Sequence, residues 1–204
     1  MSDQSPLHNC PNCGHALDLR IAASKVAGCA ACGSTVFLND RSFRAPGEAG
    51  DMHVAPSLLQ LGQPVRLGKT TATPIGVIRY SYGRGWWDEY WCVADDAPFW
   101  VSVDEGDIVV EKPTNGPEWP ASRGHPKLGD SIKYVLRTYE AVEVETATCV
   151  AFRGELPEAP EVGEEHHFVN FLSGSGQALS LEIWGNNRAW FEGQWIDPWD
   201  VGAA

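Results

Sequence analysis

Residues 75–103 read IGVIRYSYGRGWWDEYWCVADDAPFWVSV, a run of aromatic and β-branched side chains broken only by short turns. Along an extended strand, Val77 and Arg79 point to one face and Ile78 and Tyr80 to the other, because successive side chains alternate. Such alternation between turn signals is typical of a β-meander. Large rings bury well in sheets, so we expect most of them to lie in the core of a larger sheet.

The rest of the main body continues this pattern, and no convincing helical period interrupts it. Strand-like segments recur at 64–67, 70–82, 87–95, 98–104, 107–111, 132–139, 142–152, 166–172, 178–184 and 189–196. Short strands separated by Gly- and Pro-bearing turns predict an all-β fold, either an antiparallel β-barrel or a sandwich. We assign this domain to residues 57–204.

A weak internal repeat is visible in the same region. The segment 61–66, LGQPVR, resembles 128–133, LGDSIK, and an aromatic, acidic hairpin follows later in each half. Two similar halves of about seventy residues are one interpretation. Convergent hairpin patterning is the other, and the letters alone leave both open.

Charge and hydropathy narrow the classes of partner. The chain of 204 residues has 15 basic and 27 acidic residues, a net charge of −12. We therefore expect no nucleic-acid partner and no anionic membrane surface, while a cationic small molecule or a basic protein fits better. No apolar run of roughly 18 residues occurs, so direct membrane insertion is not expected. The first residues lack the features of a signal peptide, which predicts a cytoplasmic protein.

Four cysteines near the N-terminus form the most specific motif. Cys10 and Cys13 make one C-x-x-C-G knuckle, and Cys29 and Cys32 make the second. Four thiolates complete a closed tetrahedral shell, for which zinc is the expected metal, and a segment this small depends on the metal to fold. The pattern predicts a zinc ribbon at residues 1–38, followed by a Pro- and Gly-bearing linker at 39–56.

Other uses of these cysteines stay open at this point. A sulfur-rich tetrahedron also accepts iron, and a C-x-x-C pair can act in thiol redox chemistry. The redox interpretation is weakened because no βαβ unit surrounds the motif. His8 and His15 flank the first knuckle, and we expect them to be surface residues rather than ligands. Cys92 and Cys149 lie within strand patterns, where small buried side chains are expected.

Three further motifs carry a resemblance to a known family. They are 86–91 (WWDEYW), 152–157 (FRGELP), and 181–184 (LEIW) with 191–193 (FEG). Over residues 57–200 the chain resembles the bacterial domain-of-unknown-function family number 4178. The resemblance implies a domain that often follows a zinc ribbon, with gene neighbours that include phage-shock-like envelope proteins and polyamine-synthesis enzymes. It implies no activity and no catalytic residue.

The candidate ligand site combines acidic and aromatic side chains. Adjacent carboxylates on a strand point to opposite faces, so Asp88 and Glu89 cannot act together as an acid–base pair. Carboxylates beside aromatic rings can hold ammonium groups by charge and cation–π attraction, although a solvated acidic face over an aromatic core has the same composition. The candidate ligand-binding residues are Trp87, Asp88, Glu89, Glu182, Trp184 and Glu192.

These observations lead to three hypotheses for function. The first is a non-enzymatic zinc-binding adaptor with a protein partner, in a bacterial envelope-stress assembly. The second is a binding module for polyamines or basic peptides that uses the acidic, aromatic face. The third is an enzyme of unrecognised class, for which the sequence contains no catalytic constellation.

Overall fold

The computed structural model describes residues 8–39, 42–44, 48–53, 57–95, 97–114, 119–120 and 124–204. A small sheet is followed by a large one, and every strand pair is antiparallel. The strands of the small sheet are β1 (Val26–Gly28), β2 (Thr35–Phe37) and β3 (Ser42–Arg44). Those of the large sheet are β4 (Val65–Leu67), β5 (Thr70–Ser81), β6 (Trp86–Val93), β7 (Phe99–Asp104), β8 (Asp107–Pro113), β9 (Ser131–Tyr134), β10 (Arg137–Gly154), β11 (Glu165–Ser173), β12 (Ala178–Trp184), β13 (Asn187–Ile196) and β14 (Val201–Ala203).

Eight strands of the large sheet close into a barrel. Their order is β5-β6-β7-β8-β13-β12-β11-β10, and β10 then pairs with β5 to close the ring. The closing register runs from Thr148 opposite Ser81 to Gly154 opposite Gly76. The predicted all-β fold is therefore confirmed. A closed barrel leaves its eight strands without an open edge and encloses a lumen.

The two halves of the barrel share one order of strands. In each half a short strand leads through a tight hairpin into a long strand and then into three more, as β4–β8 and as β9–β13. The halves meet through their first long strands, β5 with β10, and through their last strands, β8 with β13. Segments 61–66 and 128–133, which resemble each other in sequence, lead into β4 and into β9.

Glycine is required where the ring closes. A Cβ atom added to Gly76 would lie 2.1 Å from the carbonyl oxygen of Glu155, and one added to Gly154 would lie 2.2 Å from that of Ile75. Gly154 also has a φ of +81°, a conformation that residues with a side chain rarely adopt. The end of β10 therefore approaches β5 more closely than any other residue type would allow.

Three apolar clusters stabilise the barrel. One fills the lower part of the lumen, where Ile78, Trp91, Trp100 and Phe152 are buried. The other two lie on the outside of the two halves, beneath β4 and β14 on one side and around β9 on the other. The described part of the chain has no helix with the length and hydrophobicity needed to cross a bilayer.

Residues 39–56, predicted to be a linker from their Pro and Gly content, are in part paired and buried. Residues 40–41, 45–47 and 54–56 of it lie outside the described residues. The others make specific contacts: Ser42–Arg44 form β3, Ala49 is 2 % exposed, and Arg153 donates hydrogen bonds to the carbonyls of Ala49 and Gly50. Backbone pairing and a buried Ala49 hold this segment to its neighbours, which Pro and Gly content does not reveal.

Candidate functional site

The four cysteines of the N-terminal motif come together at one point. Their sulfur atoms all lie within 4.8 Å of one another. The Sγ atoms of Cys10 and Cys32 are 3.7 Å apart, as are those of Cys13 and Cys29. A tetrahedron with metal–sulfur bonds of about 2.3 Å has edges of about 3.8 Å, so the four thiols fit a tetrahedral metal ion.

Both knuckles have the tight turns that bring their cysteines together. The amide of Gly14 donates to the carbonyl of Cys10, and the amide of Gly33 donates to that of Cys29, at 2.8 and 2.9 Å. Both glycines have a positive φ, 77° and 71°. His8 and His15 are not part of this cysteine cluster.

The ribbon is docked on the lower end of the barrel by the turn that follows β10. The Glu155 carboxylate, 7 % exposed, accepts hydrogen bonds from the Arg20 amide at 2.9 Å, the Ile21 amide at 2.7 Å and the Ser24 hydroxyl at 2.6 Å. The next residue, Leu156, pairs with Val26 of β1 as an antiparallel bridge. The ribbon is therefore packed against the barrel and is not a freely tethered module.

Ribbon side chains also help to close the floor of the barrel. Val26 is fully buried in the same apolar cluster as Ile78 and Phe152, and Ile21 and Phe37 pack against that cluster. The rings of Phe37 and Phe152 meet edge to face at 6.4 Å. The four-cysteine segment and the lumen therefore share one hydrophobic core.

A cavity of about 320 Å³ occupies the upper lumen. Its mouth is framed by the turns β5–β6, β7–β8 and β11–β12, since residues beside each of these turns line it. Seven carboxylate side chains line the cavity: Glu89, Asp104, Asp107, Glu111, Glu143, Glu145 and Glu182. Six aromatic side chains of the described residues line it as well: Tyr82, Trp87, Trp100, Phe168, Phe191 and Trp195.

Trp87 is the centre of the aromatic wall. Its ring stacks with those of Tyr80 and Tyr82, with centroids 5.5 and 5.9 Å away, and meets Phe168 edge to face at 4.9 Å. Because these contacts fix the ring, its orientation does not depend on a ligand. Fixed rings beside carboxylates provide the cation–π and charge interactions that an ammonium group requires.

Three carboxylates lie in the interior of the lumen, each held by a hydrogen-bond donor. Half-buried Glu89 accepts from the Trp87 indole at 3.0 Å, and buried Glu111 accepts from the Ser180 hydroxyl. Buried Glu182 lies 2.5 Å from the Nδ1 atom of His166. The three side chains project from different strands, β6, β8 and β12, so the closed barrel brings them together.

Burial and mutual repulsion change the acidity of these groups. Burial, followed by the charges of Glu182 and Glu111, raises the pKa of Glu89 well above its usual range. Burial, followed by the charges of Glu158 and Glu111, does the same to the pKa of Glu182. Burial also raises the pKa of Glu111, although its bond from Ser180 opposes the change. An empty lumen therefore favours carboxyl groups that keep their protons.

Among the described residues that line the cavity, Arg84 is the one lysine or arginine. It lies in the β5–β6 turn at the mouth, its side chain is 83 % exposed, and its guanidinium is 4.0 Å from Glu145. A solvent-exposed cation at the rim is screened by water and neutralises the interior carboxylates only weakly. The lumen as described is thus strongly acidic.

Three of the six candidate ligand-binding residues line the cavity and three do not. Trp87, Glu89 and Glu182 are in the lining. Asp88 lies on the outer face of β6, where it is 4 % exposed and forms two hydrogen bonds with Arg79, at 2.7 and 2.8 Å.

The other two candidates also have structural partners outside the cavity. Trp184 stacks in parallel on His166, with ring centroids 5.6 Å apart, nearer the floor of the barrel. Glu192 lies on the outer face of β13 and accepts a hydrogen bond from the Tyr134 hydroxyl at 2.8 Å. We therefore remove Asp88, Trp184 and Glu192 from the cavity site.

Sequence reasoning missed most of the acidic lining, including Glu111, Asp104, Glu143 and Glu145. Alternation within β10 places Glu143 and Glu145 on one face, but alternation alone does not show whether that face is turned to solvent or to the lumen. Which face turns inward depends on how β10 pairs with β5 and β11, and these partners are distant in sequence.

The remaining cysteines behave as buried apolar groups. Cys92 and Cys149 are fully buried, and burial raises the pKa of each thiol to about 12. A thiol with this pKa is protonated near neutral pH and is a poor nucleophile. This agrees with the expectation that both are core residues.

Comparisons with known proteins identify the barrel. Residues 60–198 match the family model described as Domain of unknown function (DUF4178). No curated protein and no solved structure matches the chain significantly. The matched range begins just before β4 and ends just after β13, so it contains the complete barrel. Because the match covers more than half of the chain, this protein belongs to the DUF4178 family.

Proposed function

We propose that this protein is a non-catalytic binding module that holds a linear organic cation, a polyamine or the side chain of a basic peptide, inside its barrel. The observation that carries the proposal is the lining of the lumen: the described residues contribute seven carboxylates and six aromatic rings, and a single arginine, which is exposed at the rim. Carboxylates attract ammonium groups, and fixed aromatic and aliphatic walls accept the methylene segments between them.

The size of the cavity is consistent with a small ligand. At about 320 Å³ it lies at the lower end of the range for small-molecule sites, about 300 to 1,000 Å³. The acidic groups extend from the mouth, at Asp104 and Asp107, to the interior, at Glu111 and Glu182. A flexible ligand with several separated positive charges can contact both groups at once.

We also infer that the four-cysteine site holds zinc in a structural role. Four thiolates leave no open coordination position for chemistry, and a closed Cys₄ shell is a common structural zinc site. Iron is the alternative metal with the same ligand preference. Metal analysis of protein purified without added metal distinguishes the two, because an iron tetrathiolate also absorbs visible light and zinc does not.

The adaptor hypothesis is a proposal of a different kind. A zinc ribbon docked on a barrel can present a composite surface to a protein partner, and an envelope-stress partner in the cytoplasm is what the family resemblance implies. The binding-module proposal is preferred here because it has a specific basis in the described residues, namely the acidic lumen.

Calorimetric titration with spermidine tests the binding proposal. Two further ligands of equal length are titrated in the same way: octane-1,8-diamine, which carries two ammonium groups, and octane-1,8-diol, which is its neutral control. We expect spermidine and the diamine to bind and the diol not to bind, because the carboxylates supply most of the attraction. The replacement Glu111→Gln should weaken spermidine binding about tenfold or more, since hydrogen bonds to charged groups contribute about 1.5–3 kcal/mol.

Glu192→Gln is the control, because Glu192 is an acidic residue on the outside of the same barrel. It should leave the affinity for spermidine unchanged. Equal binding of the diamine and the diol, or no heat at millimolar spermidine, would show that the lumen is not a cation site.

A further inference from the structure

The three interior carboxylates of the lumen have few positive partners. The donors to Glu89 and Glu111 are an indole N–H and a hydroxyl, both neutral. Glu182 is next to His166, whose second ring nitrogen lies 3.4 Å from Glu164, so one imidazole lies between two carboxylates. This cluster therefore carries more acidic groups than permanent positive charges.

Most of the groups that the surrounding strands direct at the cluster are acidic or neutral. Tyr80 on β5 donates to Glu182 at 3.5 Å, and Asp104 on β7 has a buried carboxylate oxygen with no hydrogen-bond partner in the described structure. The other titratable or charged groups that face the cluster are Tyr82, Arg84, Asp107, Glu143, Glu145, Cys149, Glu158, Glu164 and His166, with Lys25 beside Glu158.

Carboxylates that are close together in a medium of low polarity cannot all be ionised without a counter-charge, because each negative charge repels the next and burial penalises all of them. The raised pKa values of Glu89, Glu111 and Glu182 agree with this geometric expectation. In the empty lumen, protons are the available counter-charge.

We propose that the barrel exchanges protons for its cationic ligand, so that entry of each ammonium group into the interior releases a proton from the Glu89, Glu111 and Glu182 cluster. The inference rests on the proposed function. The exchange breaks one O–H bond of a carboxylic acid, leaves a carboxylate, and transfers the proton to solvent, while the ammonium group keeps its own protons. The net charge of the lumen then changes little, which makes entry of a multiply charged ligand electrostatically feasible.

This exchange has a consequence for ligand release. Acidification returns protons to the cluster and removes the negative charge that holds the ligand. Affinity should therefore fall as the pH falls, by about tenfold per pH unit for each proton exchanged. A site made of permanently ionised surface carboxylates would show no such dependence between about pH 6 and pH 8.

Spermidine titration of the metal-loaded protein at pH 7, in phosphate and in Tris, provides the test. These buffers differ strongly in their enthalpy of protonation, so the difference between the two observed enthalpies gives the number of protons released. We expect about one proton or more per spermidine, and an affinity at least about tenfold weaker at pH 6 than at pH 7. Glu111→Gln should lower the proton count, and Glu165→Gln, on the outside of β11, should not.

The outcomes separate the two proposals. Binding with the same enthalpy in both buffers and the same affinity at pH 6 and pH 7 would overturn proton exchange and leave the cation-binding function intact. No heat in either buffer would overturn both. If Glu111→Gln does not fold, Glu89→Gln replaces it, and the buffer comparison on the unaltered protein is decisive in either case.

Discussion

The docking of the ribbon depends on Glu155, which leads to a quantitative prediction for Glu155→Ala. The carboxylate accepts three hydrogen bonds from the ribbon, from Arg20, Ile21 and Ser24. Bonds to charged groups contribute about 1.5–3 kcal/mol each, which sets an upper limit of about 9 kcal/mol. Water can reach the freed amides once the ribbon moves, so we expect a net loss of about 3 kcal/mol. This corresponds to an increase of about 150-fold in the population of the undocked state.

Native-state hydrogen exchange provides the measurement, because it reports local opening separately from global unfolding. The reporters are the amides of Lys25 and Val26, which donate to the Leu156 carbonyl and keep that acceptor in the variant. Their exchange should accelerate about 100-fold, while amides of β12 exchange at the original rate. Exposed Glu161, changed to Ala, is the control and should have no effect. Unchanged protection of Lys25 and Val26 in the metal-loaded variant would refute the role assigned to Glu155.

Three further predictions concern the metal, the ring closure and pH. Cys13→Ser should release the metal and also lower the melting temperature of the barrel by several degrees, because ribbon side chains form part of its floor. An unchanged barrel transition would contradict this shared core. Gly76→Ala should cost more than about 3 kcal/mol in chemical denaturation, since its Cβ would overlap the Glu155 carbonyl, whereas Gly174→Ala has open space and should be nearly neutral. Glu182 has a raised pKa in the folded state, so the folded protein binds more protons than the unfolded chain. The contribution of Glu182 to folding stability is therefore fully present below its usual pKa of 4.5 and is lost as the pH rises through its folded-state pKa. The melting temperature of the ligand-free protein should therefore fall between about pH 5 and pH 8, and a Glu182→Gln variant with the original slope would count against this origin.

Much of the fold was predictable because its signals are local. Alternation in 75–103 correctly indicated the meander β5–β7, and the spacing of Cys10, Cys13, Cys29 and Cys32 indicated a metal cluster whose geometry the structure supports. Both signals depend on neighbours within a few residues or on one well-known ligand spacing. The similar segments 61–66 and 128–133 left two halves and convergent hairpins equally open, and the strand order of the two halves became evident only in the fold.

The candidate site was only half predictable. Alternation correctly separated Asp88 from Glu89, but which of the two faces the lumen was not evident. Asp88 instead forms a buried ion pair with Arg79, which lies directly opposite it on the preceding strand, β5. Likewise, Glu111 had no distinguishing local pattern, although it is one of the most buried acids of the lumen.

By itself, the sequence of this protein determined the strands, the four-cysteine motif and the excess of acidic and aromatic side chains, because these properties follow from residue type and short-range periodicity. Only the tertiary structure decided that β10 closes on β5, that Glu155 docks the ribbon, and that carboxylates from β6, β8 and β12 share one cavity. The physical reason is that an inward face exists only after the ring has closed. The pairing that closes it joins strands about seventy residues apart, and no local preference encodes that register.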